Sequence, residues 1–262
     1  MSNFPGENFR QRILLGMLTP SSNTVLEPVT TAILSSLPHV SAHFSRFRVT
    51  EISLAKQSLQ QFDLSSVLQA AELLADAQVD VITWNGTSAS WLGMESDVRL
   101  CDRITTTTGI PATTSVLALL EICQLHNFKT IGLVTPYVTP VQEKIQANFA
   151  NMGITCLSEQ HLNLSTNFDF SEVGKETLMT LIKDVAKHQP EAIITLCTNL
   201  RAAPLAATLE AELNIPLLDS TAAAVWKSLK LAGGNPRQIH GWGQLFQAEE
   251  AVLPPAVMAM GG

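Results

Sequence analysis

An internal repeat dominates this 262-residue chain, because one order of segments occurs in both halves. In each half an apolar run leads into Thr-Pro, first Ile13–Leu18 before Thr19–Pro20 and then Thr130–Val134 before Thr135–Pro136. Both halves continue with a helix, a strand, a helix, a strand that ends in a polar loop, another helix and a short Ile-Pro strand. Such a repeat indicates two copies of one structural unit. Alternating strands and helices indicate parallel sheets.

The hydrophobic pattern predicts four strands and four helices in each half. The predicted strands are Ile13–Leu18, Ser41–Thr50, Val79–Trp84 and Ile110–Ser115, then Thr130–Val134, Ile154–Leu157, Ala192–Ile194 and Ile215–Ser220. The predicted helices are Val25–Leu34, Val67–Ala75, Asp97–Thr108 and Val116–Leu125, then Val138–Met152, Glu176–Ala186, Leu205–Leu213 and Thr221–Leu231.

The predicted fold class is therefore α/β, with two pseudosymmetric doubly wound parallel-sheet domains. We expect the first domain to comprise residues 1–113 plus 222–262 and the second to comprise residues 114–221. The segment 52–62 has no strong pattern, and we interpret it as a loop over the site. The tail 233–262 is rich in Gly and Pro, so we predict little regular structure there.

Polar loops follow the predicted strands at four places, namely Thr19–Thr24, Asn85–Ser90, Thr135–Tyr137 and Cys197–Asn199. Ligands bind at the carboxyl ends of strands in parallel sheets. If the two domains face each other, these four loops converge on the cleft between them. The sequence therefore predicts an active site in that cleft.

Cys197 is the cysteine that lies at a strand end, directly before Thr198 and Asn199, two residue types that favour turns and helix caps. We expect a helix to begin there, with N–H groups that favour the thiolate. The alternative is that Cys197 is a small buried hydrophobe, as many free cysteines are. Cys123 fits a helix core and Cys156 fits a strand.

Four other loops offer groups for a site. Tyr137, the only tyrosine, carries a phenol that can donate to an oxyanion. Gly86 allows close approach of the backbone, and Thr87 and Ser88 supply hydroxyl donors. For the polar residues around Asn23 the alternative is a helix cap, and for Asn167 it is a turn.

Composition and motifs exclude several classes of function. The net charge is -7 with no basic tract, so nucleic acid and anionic membranes are not expected partners. No apolar run reaches the roughly 20 residues of a membrane span, and the N-terminus does not resemble a signal peptide, so we expect a cytoplasmic protein. There is no zinc spacing, no glycine-rich or Walker motif and no nucleophile elbow. We expect no metal.

The segments Pro20–Thr24, Gly86–Ser88, Thr135–Tyr137 and Leu196–Arg201 resemble the aspartate/glutamate racemase superfamily. Within it they are most similar to the branch of maleate cis-trans isomerase and arylmalonate decarboxylase, over roughly residues 12–230. The resemblance implies two pseudosymmetric α/β domains and an activity without cofactor or metal. Racemases and maleate isomerases carry one cysteine in each domain, the first in a Cys-Thr-Ser loop. Here Gly86 stands at that first position.

A Gly-Thr-Ser loop combined with one cysteine resembles arylmalonate decarboxylase. This resemblance implies that one malonate carboxylate lies among Thr87, Ser88, Tyr137 and the N–H groups near Cys197 and Thr198. The other carboxylate would lie in an apolar pocket, where desolvation favours its loss as CO2. Cys197 would then protonate the enediolate. The implied catalytic positions are Cys197, Gly86, Thr87, Ser88 and Tyr137.

Other segments resemble maleate isomerase more closely, where the residues that match Asn23, Tyr137 and Asn167 bind carboxylates. The implied substrate-binding positions are Pro20, Asn23, Asn167, Thr198 and Asn199. The first hypothesis is a cofactor-independent decarboxylase of a substituted malonate. Two alternatives stay open: an isomerase or racemase that acts on a small dicarboxylate with one cysteine, and a carboxylate-binding protein without activity. The expected partner is a small carboxylate or dicarboxylate, and a homo-oligomer is compatible with the sequence.

Overall fold

Two four-stranded parallel sheets form the framework of the protein in this computed structural model, which describes residues 12–55, 58, 61 and 64–247. In the first sheet the strands are β1 (Ile13–Pro20), β2 (Val40–Phe47), β3 (Val81–Trp84) and β4 (Ala112–Thr114). They pair in the order β2-β1-β3-β4, and every pair is parallel.

The second sheet repeats this arrangement with β5 (Thr130–Thr135), β6 (Thr155–His161), β7 (Ala192–Thr195) and β8 (Leu217–Asp219). Its order is β6-β5-β7-β8, again with parallel pairs only. The two orders are equivalent, since the first and third strands of each half lie at the centre. The predicted fold class, two pseudosymmetric doubly wound parallel α/β domains, is confirmed.

Helices connect the parallel strands, as such crossovers require. In the first half they are α1 (Leu26–Leu34), α2 (Leu64–Asp76), α3 (Ala89–Leu92), α4 (Glu95–Thr108) and α5 (Ser115–Leu125). In the second half they are α6 (Thr139–Asn151), α7 (Lys175–Ala186), α8 (Ala206–Leu213) and α9 (Ser220–Leu231). Short 3-10 helices lie at Phe168–Glu172, Ala203–Leu205, Pro236–Gln238 and Gln244–Phe246.

Burial explains why the central strands have continuous apolar sequence. Every residue of β3 and β7 is buried, because helices cover both faces of each sheet. Helices α5 and α9 pack against each other, and α9 also contacts α1 and β3. Both helices are capped at their first turn: Thr114 Oγ1 accepts from the N–H of Leu117, and Asp219 Oδ1 accepts from the N–H groups of Thr221 and Ala222.

Several boundaries differ from the sequence prediction; among them, β6 continues to His161, four residues past its predicted end. Strand β2 ends at Phe47 rather than at Thr50, because the chain leaves the sheet and pairs with the second half. Helix α2 begins at Leu64, three residues before its predicted start. In the tail, two 3-10 helices interrupt the irregular structure, and the predicted continuation over 248–262 lies outside the described residues.

The predicted loop 52–62 lies partly outside the described residues, at 56, 57, 59, 60 and 62. The described part beside it does contact the second half, through an antiparallel bridge between Glu51 and Thr166. The N–H of Ile52 donates to the carbonyl of Ser165 at 2.8 Å. The boundary between the two domains stays a prediction. Across the described part of the chain, no helix combines the length and apolar character that crossing a bilayer requires.

Candidate active site

The carboxyl ends of β1, β3, β5 and β7 meet around one small cavity. Eight of the ten residues that the sequence assigned to a site line it: Pro20, Gly86, Thr87, Ser88, Tyr137, Asn167, Cys197 and Thr198. The remaining lining residues are Val49, Ile52, Trp84 and Trp91. The sequence placed the loop that begins at Ile52 over the site and missed the other three. The structure therefore places a polar side and an apolar side within the same cavity.

The cavity has a volume of about 20 Å³. A single water needs about 10–15 Å³ on such a measure, so the cavity holds a water but not a dicarboxylate. The structure therefore shows the site closed, and a substrate requires the surrounding groups to separate.

Cys197 lies at the bottom of this cavity with 3% of its surface exposed. The N–H of Asn199 points to its sulfur at 3.4 Å. Burial raises the pKa of the thiol to about 12, although this N–H, the Tyr137 hydroxyl and the Leu200 N–H oppose the shift. Cys197 is thus protonated at neutral pH.

The prediction that a helix begins beside Cys197 and favours its thiolate is wrong for this closed structure. Strand β7 ends at Thr195, residues 198 and 199 form a turn, and the next helical turn is the 3-10 segment Ala203–Leu205. The sulfur lacks the N-terminus of a helix, and desolvation outweighs the single N–H groups that face it.

Tyr137 and Thr87 join the two halves at the polar side of the cavity. The Tyr137 hydroxyl and Thr87 Oγ1 are 2.6 Å apart and share a hydrogen bond. The phenol ring is fixed by edge contacts with Trp91 and Phe170, at centroid distances of 5.1 and 5.6 Å. Burial and the nearby Cys197 raise the pKa of Tyr137 well above its ordinary value, so the phenol remains a hydrogen-bond donor.

Asn23 is buried but does not line the cavity. Its Oδ1 accepts from the N–H groups of Val25 and Leu26, both at 2.9 Å, at the start of α1. Its Nδ2 donates to Thr198 Oγ1 at 3.2 Å, and that hydroxyl donates to the carbonyl of Asn85 at 2.9 Å. In the closed structure Asn23 therefore binds the N–H groups at the start of α1 and holds Thr198. Its contact with a substrate carboxylate stays a prediction.

Asn199 also lies outside the cavity lining, and its amide links the two halves. Its Oδ1 accepts from the N–H of Thr24 at 3.0 Å, and its Nδ2 donates to the carbonyl of Asn167 at 2.6 Å. Asn167 in turn donates through Nδ2 to Ser22 Oγ at 2.8 Å. These amides hold the two halves together around the cavity.

Trp84 explains why position 86 lacks a side chain. The backbone geometry at Gly86 would direct a Cβ atom into the Cζ2 and Cε2 atoms of the Trp84 indole. Trp84 is buried and also packs on Phe47, with ring centroids 4.8 Å apart. The indole therefore occupies the space that a side chain at Gly86 would need. Position 84 ends a predicted buried strand, which is the one sequence signal that could have indicated it.

The described residues contain no group of three or more His, Cys, Asp or Glu side chains placed to hold a metal ion. The other cysteines, Cys101, Cys123 and Cys156, are not among the cavity's lining residues in the described chain. The chemistry available in the cavity is thus that of one protonated thiol, several hydroxyl donors and an apolar wall.

Comparison with known proteins places these observations in context. A family model described as arylmalonate decarboxylase matches residues 16–246. A maleate isomerase of Geobacillus stearothermophilus is 25% identical over 227 residues, which cover 82% of this chain and 90% of the isomerase. An arylmalonate decarboxylase of Bordetella bronchiseptica is 24% identical over 237 residues, 88% of this chain and 95% of the decarboxylase.

Among solved structures, a maleate isomerase variant of Pseudomonas putida with bound maleate matches the fold with a TM-score of 0.84 at 23% identity. The match covers 91% of this chain and 98% of that chain. The relatives thus include both a decarboxylase and isomerases, at nearly equal identity.

Proposed function

Because this chain belongs to the arylmalonate decarboxylase family, we propose that it is a cofactor-independent carboxy-lyase that removes CO2 from a malonate with a substituent at the α-carbon. The observation that carries the proposal is the presence of Gly86 and Cys197 in one cavity, with Cys197 the only thiol among its described lining residues. Racemisation moves a proton from one face of a carbon to the other and needs an acid–base group on each face. Decarboxylation needs only one proton donor, which matches the single thiol among the described lining residues.

The two sides of the cavity suit the two carboxylates of a malonate. Thr87, Ser88 and Tyr137 offer hydroxyl groups to the carboxylate that stays. Val49 and Ile52, together with the Trp84 indole, form an apolar surface for the carboxylate that leaves. A carboxylate without hydrogen-bond partners is destabilised, and its loss as neutral CO2 relieves that cost.

The reaction follows from this placement. The bond from the α-carbon to the leaving carboxylate breaks, and its electron pair moves into the remaining carboxylate to form an enediolate. Hydrogen bonds from Thr87 and Tyr137 stabilise the new charge, by about 3 kcal/mol for each donor. The Cys197 thiol gives its proton to the α-carbon, and water reprotonates the sulfur. The pKa of about 12 suits this role because the thiol stays protonated until it is needed.

The test is CO2 release from a panel of α-substituted malonates, run in D2O so that the product carries one deuterium at the α-carbon. We expect Cys197→Ala to lower kcat at least about 100-fold, the range of general acid catalysis. Cys156→Ala is the matched control, since Cys156 lies on β6 away from the cavity. Absence of CO2 release by the wild-type protein with every malonate refutes the proposal.

A second candidate function is the isomerisation of a cis-dicarboxylate, supported by the maleate isomerases among the relatives and by Asn167 and Tyr137 in the cavity. That reaction uses a thiolate to add to the double bond, which burial of Cys197 opposes in the closed site. Conversion of maleate to fumarate, followed by NMR and lost in Cys197→Ala, would favour this candidate. Dicarboxylate binding without any product would favour a protein that only binds.

A further inference from the structure

A second, larger cavity lies against the candidate active site. Its volume is about 510 Å³, within the range of small-molecule pockets. Its apolar lining comes from Phe47, from Leu64 and Val67 on α2, from Leu92 on α3 and from Leu100 on α4. We call this cavity the α2–α4 pocket.

Three of the four charged residues that line the α2–α4 pocket, Arg99, Asp102 and Arg103, are exposed to solvent. The fourth, Asp97, is buried, and its Oδ2 accepts a hydrogen bond from Thr114 Oγ1 at 2.5 Å. The pocket therefore suits an apolar group that leaves the three exposed charged side chains in water.

Trp84 and Ser88 line both the α2–α4 pocket and the cavity that holds Cys197. The Trp84 indole lies over Gly86 on one side and against Phe47 on the other. The indole is therefore the partition between the two spaces.

The two cavities that the Trp84 indole separates differ greatly in volume. The Cys197 cavity, at about 20 Å³, has no room for a substituent on the α-carbon, whereas the α2–α4 pocket has about 510 Å³. We propose that Trp84 determines the substrate specificity of this site. When its indole rotates away from Gly86 and into the α2–α4 pocket, it leaves room beside itself for a bulky apolar substituent on the α-carbon. This inference rests on the proposed function, and it places the α-substituent of the substrate in the α2–α4 pocket.

Binding of unreactive acids tests the pocket without requiring turnover. Phenylacetate and acetate share a carboxylate and differ by the apolar group, and calorimetry gives both dissociation constants. We expect the wild-type protein to bind phenylacetate at least about 10-fold more tightly than acetate. Leu64→Trp fills the pocket and should weaken phenylacetate binding at least about 10-fold, with acetate binding unchanged.

Two further variants keep this test decisive. Leu73→Trp is the matched control, because Leu73 lies on the same helix, is 66% exposed and is absent from the pocket lining. Leu92→Trp narrows the pocket from an exposed position, so it decides the test if Leu64→Trp does not fold. Phenylacetate should also change the intrinsic fluorescence of the wild-type protein, and Trp84→Phe should remove that change.

The outcomes separate this inference from the proposed function. If the filled variants bind phenylacetate as tightly as the wild-type protein, or if the wild-type protein binds neither acid, the role of Trp84 and the pocket is refuted. If binding follows the expected pattern but no malonate releases CO2, the pocket stands and the proposed function fails. If methylmalonate and phenylmalonate release CO2 with equal kcat/KM in wild-type and filled variants, the function stands and this inference fails.

Discussion

Trp84 and Gly86 are two residues apart in the chain and compete for the same space. Because the indole occupies the space of a side chain at position 86, a substitution at either position changes the room available at the other. The pair also gives a physical reason for the glycine, because the Cβ of any other residue at this position would meet the indole.

We expect Gly86→Ala to lower the free energy of unfolding by about 1–3 kcal/mol, the usual effect of overpacking. In the double variant with Trp84→Leu most of this loss should disappear, because the smaller side chain leaves room for the methyl group. Urea unfolding of the four proteins gives the coupling energy. Gly174→Ala is the control, since a Cβ there has no contact closer than 3.9 Å. Simple additivity of the two changes would contradict the proposed competition for space.

Asp97 makes the stability depend on pH. Burial raises the pKa of this carboxyl to about 7, against roughly 3.9 in an unfolded chain. The folded state therefore holds a proton that the unfolded state releases, so the stability that Asp97 contributes is greatest below about pH 4 and is lost as the pH rises to 7. The shift corresponds to about 4 kcal/mol.

Asp97→Asn should reduce this dependence, because the amide can still accept from Thr114 and carries no charge. The measurement is the free energy of unfolding at pH 4 and pH 8 for the wild-type protein and the variant. Asp102→Asn, at an exposed position on the same helix, should leave the dependence unchanged. If the free energy of unfolding changes equally between pH 4 and pH 8 in Asp97→Asn and in the wild-type protein, Asp97 is charged in the folded state.

Polar residues of the site were predictable from the sequence, and the apolar ones were not. A hydroxyl, phenol or thiol directly after a buried strand has few roles, so Thr87, Tyr137 and Cys197 could be singled out. Trp84 looks like an ordinary core residue, because the sequence does not say which apolar side chains border an opening. For Ile52 the sequence indicated only that its loop lies over the site. Nor does it say how deeply the thiol is buried, which sets its pKa.

Amide side chains in the loops after β1, β6 and β7 connect the two halves by hydrogen bonds, in addition to apolar packing. Asn199 is the centre of this arrangement, since it accepts from the loop after β1 and donates to the carbonyl of Asn167. Loss of this side chain leaves the buried carbonyl of Asn167 and the part-buried N–H of Thr24 without this partner.

Asn199→Ala should lower the free energy of unfolding by about 1–3 kcal/mol, the cost of unsatisfied buried polar groups. Asn151→Ala, at the exposed end of α6, should have almost no effect. Chemical denaturation measures both. If Asn199 serves only as a substrate ligand, the variant should lose substrate affinity with unchanged stability.

The order of strands and helices could be read from the sequence because the repeat appears twice and apolar runs mark the central strands. The end of β2 could not, since alternation of apolar residues continues to Val49. What ends the strand at Phe47 is a distant partner: the carbonyl of Thr50 accepts from the N–H of Asn167, over one hundred residues later in the chain.

A contact between the two halves closes one side of the site. Segments 50–52 and 165–167 pair across the cleft, beside a cavity of about 20 Å³. We therefore expect these segments to separate when an acid larger than a water molecule reaches Cys197.

A disulfide across this contact tests that requirement. Glu51 and Thr166 form an antiparallel bridge and both are exposed, so Glu51→Cys with Thr166→Cys places two sulfurs within bonding distance. Oxidation should slow the binding of phenylacetate at least about 10-fold, and a reductant should restore it. Glu51→Cys alone is the control. Unchanged binding in the oxidised double variant would show that acids enter by another route.

The cavity is asymmetric, because one half contributes the Cys197 thiol and the other contributes Gly86, which has no side chain. Under the proposed function, a planar intermediate in this cavity would receive its proton from the side of Cys197 alone. The acid product would then be a single enantiomer, although the starting malonate has no stereocentre of its own. The approximate symmetry of the two halves, which is broken at this pair of positions, would thus determine which enantiomer of the product forms.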